Sequence, residues 1–498
     1  FTGPVAEASR AANARSQVFF GIKINGTTWP ATGFTRSTYI RHDSDHTESS
    51  GHLHILLPSL STNDYVEVYA KAFDTSANTL SLGTTSLFLE KVASSRTIFS
   101  GTAVRTVSST NLNEVNPSAL QWTQEIADSG FTHSNTSNSH NITLDAAGAY
   151  LVFANLPIKS NTGRASPQMQ IKLNGTQVTG GFASQGYIRN AEATNKSSIH
   201  WVGLIQSAST NQVLTIEMSK RGAAGSVDVQ TNEKGSIFIE KLANTNNLFS
   251  ATATQLISGD NWNNGSDVKW STQETIDTGK FTHSTSSNPN QVVVDSDGDY
   301  LLLYNDGLTS TVARANPNIQ VQVNGNPVPG AEVSTHYIRA DSGHNYSSGA
   351  LATVLNGLKA NDIITVGASI ESTSGTVNDH VPARITLLKK PTLAAPVITI
   401  AQTSGSSPIS ASLTFKQDGS NVSVTGFTAS DISVNDATIS NFSGSGHTNT
   451  FNVVPTVYPA IININIPAGA ATTSGGASTG SSSALTQFRD LVTDDSSL

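Results

Sequence analysis

Histidine and aspartate crowd one stretch of this chain. His42, Asp43, Asp45 and His46 fall within five positions, and His52 and His54 follow closely. Neutral imidazoles and carboxylates at such spacing can ligate zinc or nickel. A second acidic run, DSDGDY at Asp295–Tyr300, has the outline of a calcium loop. It lacks the glycine at the sixth position and the distal glutamate of the helix-loop-helix calcium site. Trp29, Trp201 and Trp262 could stack on sugars, although Trp201 sits in an alternating stretch that reads as core. No Ser-His-Asp arrangement, paired carboxylates or Gly-rich phosphate loop stands out. The chain is therefore read as non-enzymatic, with no catalytic, cofactor-binding or metal residues assigned.

That reading rests on an internal comparison, because the chain repeats itself. Asn25-Gly26, Asn174-Gly175 and Asn324-Gly325 are spaced by 149 and 150 residues. A period this long is a whole domain rather than a solenoid unit. The segments matching the His/Asp cluster, Asn190–Ser198 and Ala340–Ser348, carry no such cluster. A polar loop is therefore preferred there over a metal site. The second copy has DAAGAY where the third has DSDGDY, so the turn does not depend on the carboxylates. Other residues recur: Tyr-Ile-Arg at 39–41, 187–189 and 337–339, the Ser-Ser pair that follows it, and Arg15, Arg164 and Arg314. His133 and His283 recur within Phe-Thr-His-Ser. Recurrence assigns these residues to the fold or to its assembly. Asn-x-Ser/Thr at Asn25, Asn141, Asn174, Asn345 and Asn421 is explained by the abundance of those residues.

Composition narrows the partners. The 498 residues carry only 13% charged residues and a net charge of −8. That is the wrong sign and density for nucleic acid, which needs clustered Lys and Arg. No apolar run approaches 18 residues, so no membrane-spanning helix is expected. Cysteine is absent, which removes disulfides and thiolate chemistry. The chain begins at Phe1, without a signal peptide, and is read as processed, truncated or partial.

The elements are β. In Phe20-Ile22-Ile24, Met169-Ile171-Leu173 and Ile319-Val321-Val323, apolar residues alternate with other residue types and run into an Asn-Gly hairpin turn. The expected fold is all-β, with tandem antiparallel sandwiches and a further C-terminal β-sandwich. The copies are placed at residues 1–94, 95–244 and 245–391, a fourth unit at 396–471, and a Gly/Ser linker with a short tail at 472–498. In that tail, 484–495 reads either as a short helix capped by Ser483 or as a frayed end. Phe1 aligns with Tyr150, so the first copy lacks its opening strands. Either upstream residues or another chain would complete it, the latter by β-augmentation.

The order of elements resembles the tumour-necrosis-factor-like jelly roll of the complement globular heads. The likeness rests on the GxY strand (Gly148-Ala149-Tyr150; Gly298-Asp299-Tyr300), the VxLNG hairpin, GLKANDIITV at Gly357–Val366 and the closing apolar strand. The segments Asn63-Asp64, Asn211-Gln212 and Asn361-Asp362 stand where that family often has a small residue and Asp. The resemblance implies jelly rolls that pack as trimers through an apolar, aromatic-rich face. The fourth unit, with VTGFTASDISVNDATISNFSGSG and TFNVVPT, resembles a bacterial Ig-like domain, which implies a spacer or adhesive module; Tyr458-Pro459-Ala460 departs from its pattern. Together these imply a trimeric virion fibre or capsid decoration protein of a bacteriophage. A prokaryotic cell-surface adhesin or filament subunit assembled by strand complementation, and a glycan-binding lectin, remain as alternatives. The expected location is extracellular, on a virion or prokaryotic cell surface. Expected partners are further copies of the chain, other particle or cell-surface proteins, and a possible glycan.

Overall fold

The computed structural model describes residues 2–7, 15–28, 32–37, 40–41, 47–72, 80–92, 96–106, 117–161, 165–185, 188–189, 195–221, 227–229, 233–253, 265–311, 314–335, 337–339, 344–370, 377–390, 396–400, 408–417, 420–457, 460–467, 469–473, 479 and 482–488. They form two compact units. One comprises Phe1–Leu89 with Thr97–Lys389, and the other Glu90–Arg96 with Lys390–Leu498. The pairings between strands are antiparallel, and the described residues form an all-β chain of packed antiparallel sheets.

In the first unit, the second and third repeats are built alike. A closing strand lies between an opening strand and the GxY strand. In the second repeat these are Ser236–Lys241, Thr97–Thr106 and Gly148–Ser160. In the third they are Val377–Lys389, Leu248–Ala253 and Gly298–Ser310. The facing sheet contains the hairpin strand and its partner: Ser166–Leu173 with Gln212–Arg221, and Pro317–Val323 with Ile363–Ile370. Apolar residues pointing inward from both sheets make one core per repeat, around Trp122 and Ile171 in the second and around Trp270 and Val321 in the third.

The Asn-Gly turns show why asparagine is kept there. Asn25, Asn174 and Asn324 have φ near +50°, followed by Gly at +74° to +77°, as a tight hairpin turn requires. Each Asn side chain also accepts a backbone N–H from the neighbouring strand: from Tyr65 at 3.0 Å, Val213 at 2.7 Å and Ile363 at 2.9 Å. Asn25 and Asn324 donate in turn to Asp64 and Asp362. The Asn-Asp segments are thus one half of a clamp on the hairpin. The recurring histidines also serve the fold. His133 and His283 pack on Phe99 and Phe249, with ring centroids 5.3 and 5.2 Å apart.

The register of the first repeat differs from the sequence alignment. Thr2 pairs with His52 as Asn155 pairs with His200. Thr2 therefore stands at the Asn155 position, four residues beyond Leu151, where the Phe1–Tyr150 alignment would put it. The match that wins is Pro4 opposite Ser50 with Pro157 opposite Ser198.

The second unit is a small sandwich. One sheet contains Val397–Ile400, Ile409–Thr414, Thr448–Pro455 and Ala437–Ser445. The other contains Ser433–Val434, Ala460–Ile466 and Ser482–Phe488. Leu413 and Val453 from the first sheet share a core with Ile462 and Ile464 from the second. Of the two readings of 484–495, a short helix or a frayed end, neither describes 484–488; the rest lies outside the described residues. Ser482–Phe488 is a strand paired with Ala460–Ile466, from Ala460 opposite Phe488 to Ile466 opposite Ser482. A short amphipathic helix is marginal alone, whereas pairing along an available strand edge satisfies the backbone groups that face the partner.

Candidate functional site: the shared axis of the three repeats

The recurring Ser-Ser pair lies where the three repeats meet. Ser50 and Ser198 lie in strands, Ser348 lies in the matching place between Tyr346–Ser347 and Ala350–Leu358, and all three are buried. Each hydroxyl accepts a backbone N–H from the next repeat. Arg36 of the first repeat donates to Ser198 of the second at 3.0 Å. Ser184 of the second donates to Ser348 of the third at 2.9 Å. Ser334 of the third donates to Ser50 of the first at 2.9 Å. The set closes into a ring with threefold character inside one chain. The threefold packing that the sequence suggested between chains is present here between repeats.

Further contacts follow the same cycle. Asn155 donates to the Phe34 carbonyl and Asn305 to the Phe182 carbonyl, both at 3.0 Å. Gly180 and Gly330, at φ +68° and +75°, let the next repeat's backbone approach. A β-carbon at Gly180 would lie 3.0 Å from the Pro382 carbonyl, and one at Gly330 would lie 3.2 Å from Thr85. Only glycine tolerates both that conformation and that approach.

Strand side chains alternate, so Ser50 shares its face with Glu48 and His52. The matching positions are Lys196 and His200 in the second repeat, and Tyr346 and Ala350 in the third. Around the conserved serine layer, each seam therefore has its own chemistry. Between the first and second repeats, Arg36 donates twice to Glu233, at 2.9 and 2.7 Å, and Lys196 donates to the same carboxylate at 2.9 Å. Burial raises the Glu233 pKa, but the two cations outweigh it and hold the group below its usual value. Between the second and third, Arg221 lies over the Tyr346 ring, which packs on His380, which packs on Phe182. Burial, with Arg221 adding, pushes His380 down to about 4. Between the third and first, Glu48 accepts from Ser334 at 3.2 Å, and its backbone carbonyl accepts from Asn316.

The axis itself is apolar where the second and third repeats face each other, with Leu151, Val202, Leu204, Leu301 and Leu303 in one cluster. Phe153 packs against this aliphatic cluster. The first repeat brings histidines instead. His52 and His200 lie edge to face at 5.6 Å, and His200 is hydrogen-bonded to Thr35 at 3.1 Å. They border a void of about 10 Å³, together with Ser334 and Ser348, room for roughly the centre of one water. His54 packs on Phe153 at 5.6 Å. Burial holds its pKa well below the usual value, with His200 also contributing. His52 and His54 thus face neighbouring repeats, not an open sheet surface.

In the third repeat a carboxylate is buried. Asp306 is fully enclosed, accepts from Tyr304 at 2.9 Å and from the Gly349 amide at 2.5 Å, and burial raises it to about 7. The matching residue of the second repeat is Leu156, so no recurrence signals it.

The other candidates resolve as follows. His42, Asp43, Asp45 and His46 lie outside the described residues, as do Trp29, Trp262, Tyr39, Tyr187 and Arg164. Among the described residues, no group of three or more His, Asp or Glu is placed to hold a metal. The carboxylates of Asp295, Asp297 and Asp299 do not converge. They accept separately from Thr282, from Lys359 and Ala360, and from Gly357. Trp201 is fully buried and donates to the Gly180 carbonyl at 2.9 Å. Arg15 and Arg41 pair across two short strands, and Ile40, Ile188 and Ile338 are all buried, which places the Tyr-Ile-Arg segment in the scaffold. No helix of the described residues is long and apolar enough to cross a membrane.

No protein-family profile matches this chain, and no curated protein does. Solved structures do. Murine APRIL is similar at 11% identity over 30% of this chain and 99% of its own, with a TM-score of 0.22. A tumour-necrosis-factor protein, Eiger from S. frugiperda, is similar at 14% identity over 30% of this chain and 94% of its own, also at 0.22.

Proposed function

We propose that this chain is a non-enzymatic structural or adhesive protein of an exposed surface, whose threefold head is assembled from one polypeptide. The observation that carries the reading is the closed serine ring at Ser50, Ser198 and Ser348. Buried area and polar groups are spent on holding three lobes together, and among the described residues no group of His, Asp or Glu is placed to hold a metal. The three repeats at 1–94, 95–244 and 245–391 are its lobes. The unit at 396–471, extended by the strand at 482–488, is an Ig-like module serving as spacer or anchor. The setting that suits tandem lobes without cysteine is a phage fibre or capsid decoration. A prokaryotic adhesin joined by strand complementation is the second reading. The lectin reading loses Trp201, which is core.

Two measurements test this. Antibodies to the chain should label intact particles or unpermeabilised cells, and label confined to the cell interior would overturn the surface assignment. Sedimentation at micromolar concentration should give the mass of one chain, 52.1 kDa. A stable species of three chains would show that the intramolecular ring does not replace chain-to-chain packing.

A further inference from the structure

The three Asn-Gly hairpin turns share a backbone but not a clamp. Asn25, Asn174 and Asn324 have nearly the same positive φ, at 52°, 49° and 52°. Each side-chain oxygen accepts a backbone N–H, from Tyr65, Val213 or Ile363. In the first and third repeats the carboxamide has a second anchor. Asn25 donates to Asp64 at 2.7 Å, and Asn324 donates to Asp362 at 2.8 Å. Both carboxylates are themselves fixed, by the N–H of Ser61 and of Lys359. The second repeat has Gln212 at that position. Its side-chain oxygen accepts from Ser207 at 2.6 Å. Among the described residues, nothing receives a hydrogen bond from the Asn174 side-chain nitrogen.

A carboxamide held by its oxygen alone turns at the cost of one bond, whereas one held at both atoms must lose two. Turning matters because a glycine follows. A β-carbon at Gly175 or at Gly325 would meet nothing within 4 Å, so both turns are equally open to approach along the backbone. The missing anchor is what separates them. We propose that Asn174 is a site of spontaneous covalent modification, favoured over the matching asparagines of the other two repeats. The Gly175 nitrogen bonds to the side-chain carbonyl carbon of Asn174. The bond from that carbon to the side-chain nitrogen breaks, and ammonia leaves with the proton of the Gly175 amide. Water then opens the cyclic imide at either carbonyl, giving aspartate or isoaspartate, with no change of oxidation state.

The product is also best accommodated there. A carboxylate at 174 still accepts from Val213 and faces the neutral Gln212. One at 25 or 324 would oppose Asp64 or Asp362, and like charges so placed repel. Isoaspartate adds a carbon to the main chain of a tight turn, so modification loosens the hairpin between Ser166–Leu173 and Thr176–Ser184. Asn356 also precedes a glycine, but the Gly357 N–H is donated to Asp299 at 2.7 Å, which occupies the nitrogen that would react. Asn264, before Gly265, lies outside the described residues. This inference is independent of the surface-protein reading.

The test ages the full chain in mildly alkaline buffer and maps its peptides by mass, with isoaspartate read by enzymatic methyl-ester labelling. The anchor absent at 174 is a hydrogen bond to a charged group, which corresponds to a rate factor of about ten to a hundred. Residue 174 should therefore convert at least about tenfold faster than 25, 324 and 356. Gln212→Asp, which restores the second anchor, should slow residue 174 to the rate of the other two turns. Asp362→Ala should bring residue 324 up to the rate of 174. In urea the three turns should convert alike, because only the fold separates them. Similar rates at the three turns of the folded chain would overturn the proposal. So would a lead for 174 that persists in urea, or one that Gln212→Asp leaves unchanged.

Discussion

Replacing Ser50, Ser198 and Ser348 together by alanine is expected to open the head while leaving each lobe folded. Each hydroxyl accepts a buried amide from the neighbouring repeat. Its loss strands the N–H of Arg36, Ser184 or Ser334 away from water, at about 1–3 kcal/mol per site. Three such losses approach the total stability of many domains, about 5–15 kcal/mol. They share one layer and will not add fully. The cores around Trp122 and Trp270 do not touch these hydroxyls, so β-structure by circular dichroism should persist. Small-angle scattering should report a larger radius, and the urea midpoint should fall steeply. Each single variant should show a smaller effect in the same direction. A triple variant within about 0.5 kcal/mol of the parent, the range of an ordinary surface change, would mean that apolar packing alone closes the ring.

The second large effect is on pH dependence, where two kinds of buried group act in opposite directions. His54, His283 and His380 are held below their ordinary pKa, each first by burial. The folded state then binds fewer protons than the unfolded one. Their contribution to stability is complete above about pH 6.5 and is lost as pH falls, towards about 4 for His380. His380 is partly exposed, so solvent screens its share to about 1 kcal/mol. Asp306 is raised from 3.8 to about 7 by burial. Its folded form prefers the proton, so it stabilises at low pH and its contribution is lost as pH rises through 7. A difference of 7 − 3.8, about three units, corresponds to roughly 4 kcal/mol at most. Asp306→Asn removes that charge and keeps the shape. Above pH 8 the variant should be more stable than the parent by about 1–3 kcal/mol, after allowing for a weaker bond to Tyr304. Below pH 4 the gain should vanish. In the variant, stability should then fall monotonically from pH 7 to pH 4, which exposes the histidine contribution. A gain independent of pH would show that the Asp306 pKa does not differ between the folded and unfolded states.

Much of the fold was legible because the chain supplies its own comparison. The Asn-Gly turns demand positive φ, and period-two alternation marks the hairpin strands, so both can be read locally. Recurrence marked scaffold residues, and His133, His283 and the isoleucines Ile40, Ile188 and Ile338 do pack within the fold. The tail 482–488 was misread because its helical spacing is a weak local preference, and a distant partner edge at 460–466 outweighs it. The offset of Thr2 was missed because a short stretch aligns almost as well four residues away. Asp306 gave no signal at all, since a buried carboxylate looks like any other aspartate in a sequence.

What the sequence by itself determined is the β class, the 150-residue period and the turn chemistry, all of which depend on neighbours along the chain. It also singled out the Ser-Ser pair as belonging to the fold or to its assembly. Only the tertiary structure decided which. The serine ring, the three unlike seams at Glu48, Lys196 and Tyr346, and the histidines at the axis join residues about 150 to 300 positions apart. No local pattern specifies such contacts, because they depend on how whole sandwiches pack rather than on how a strand or turn forms.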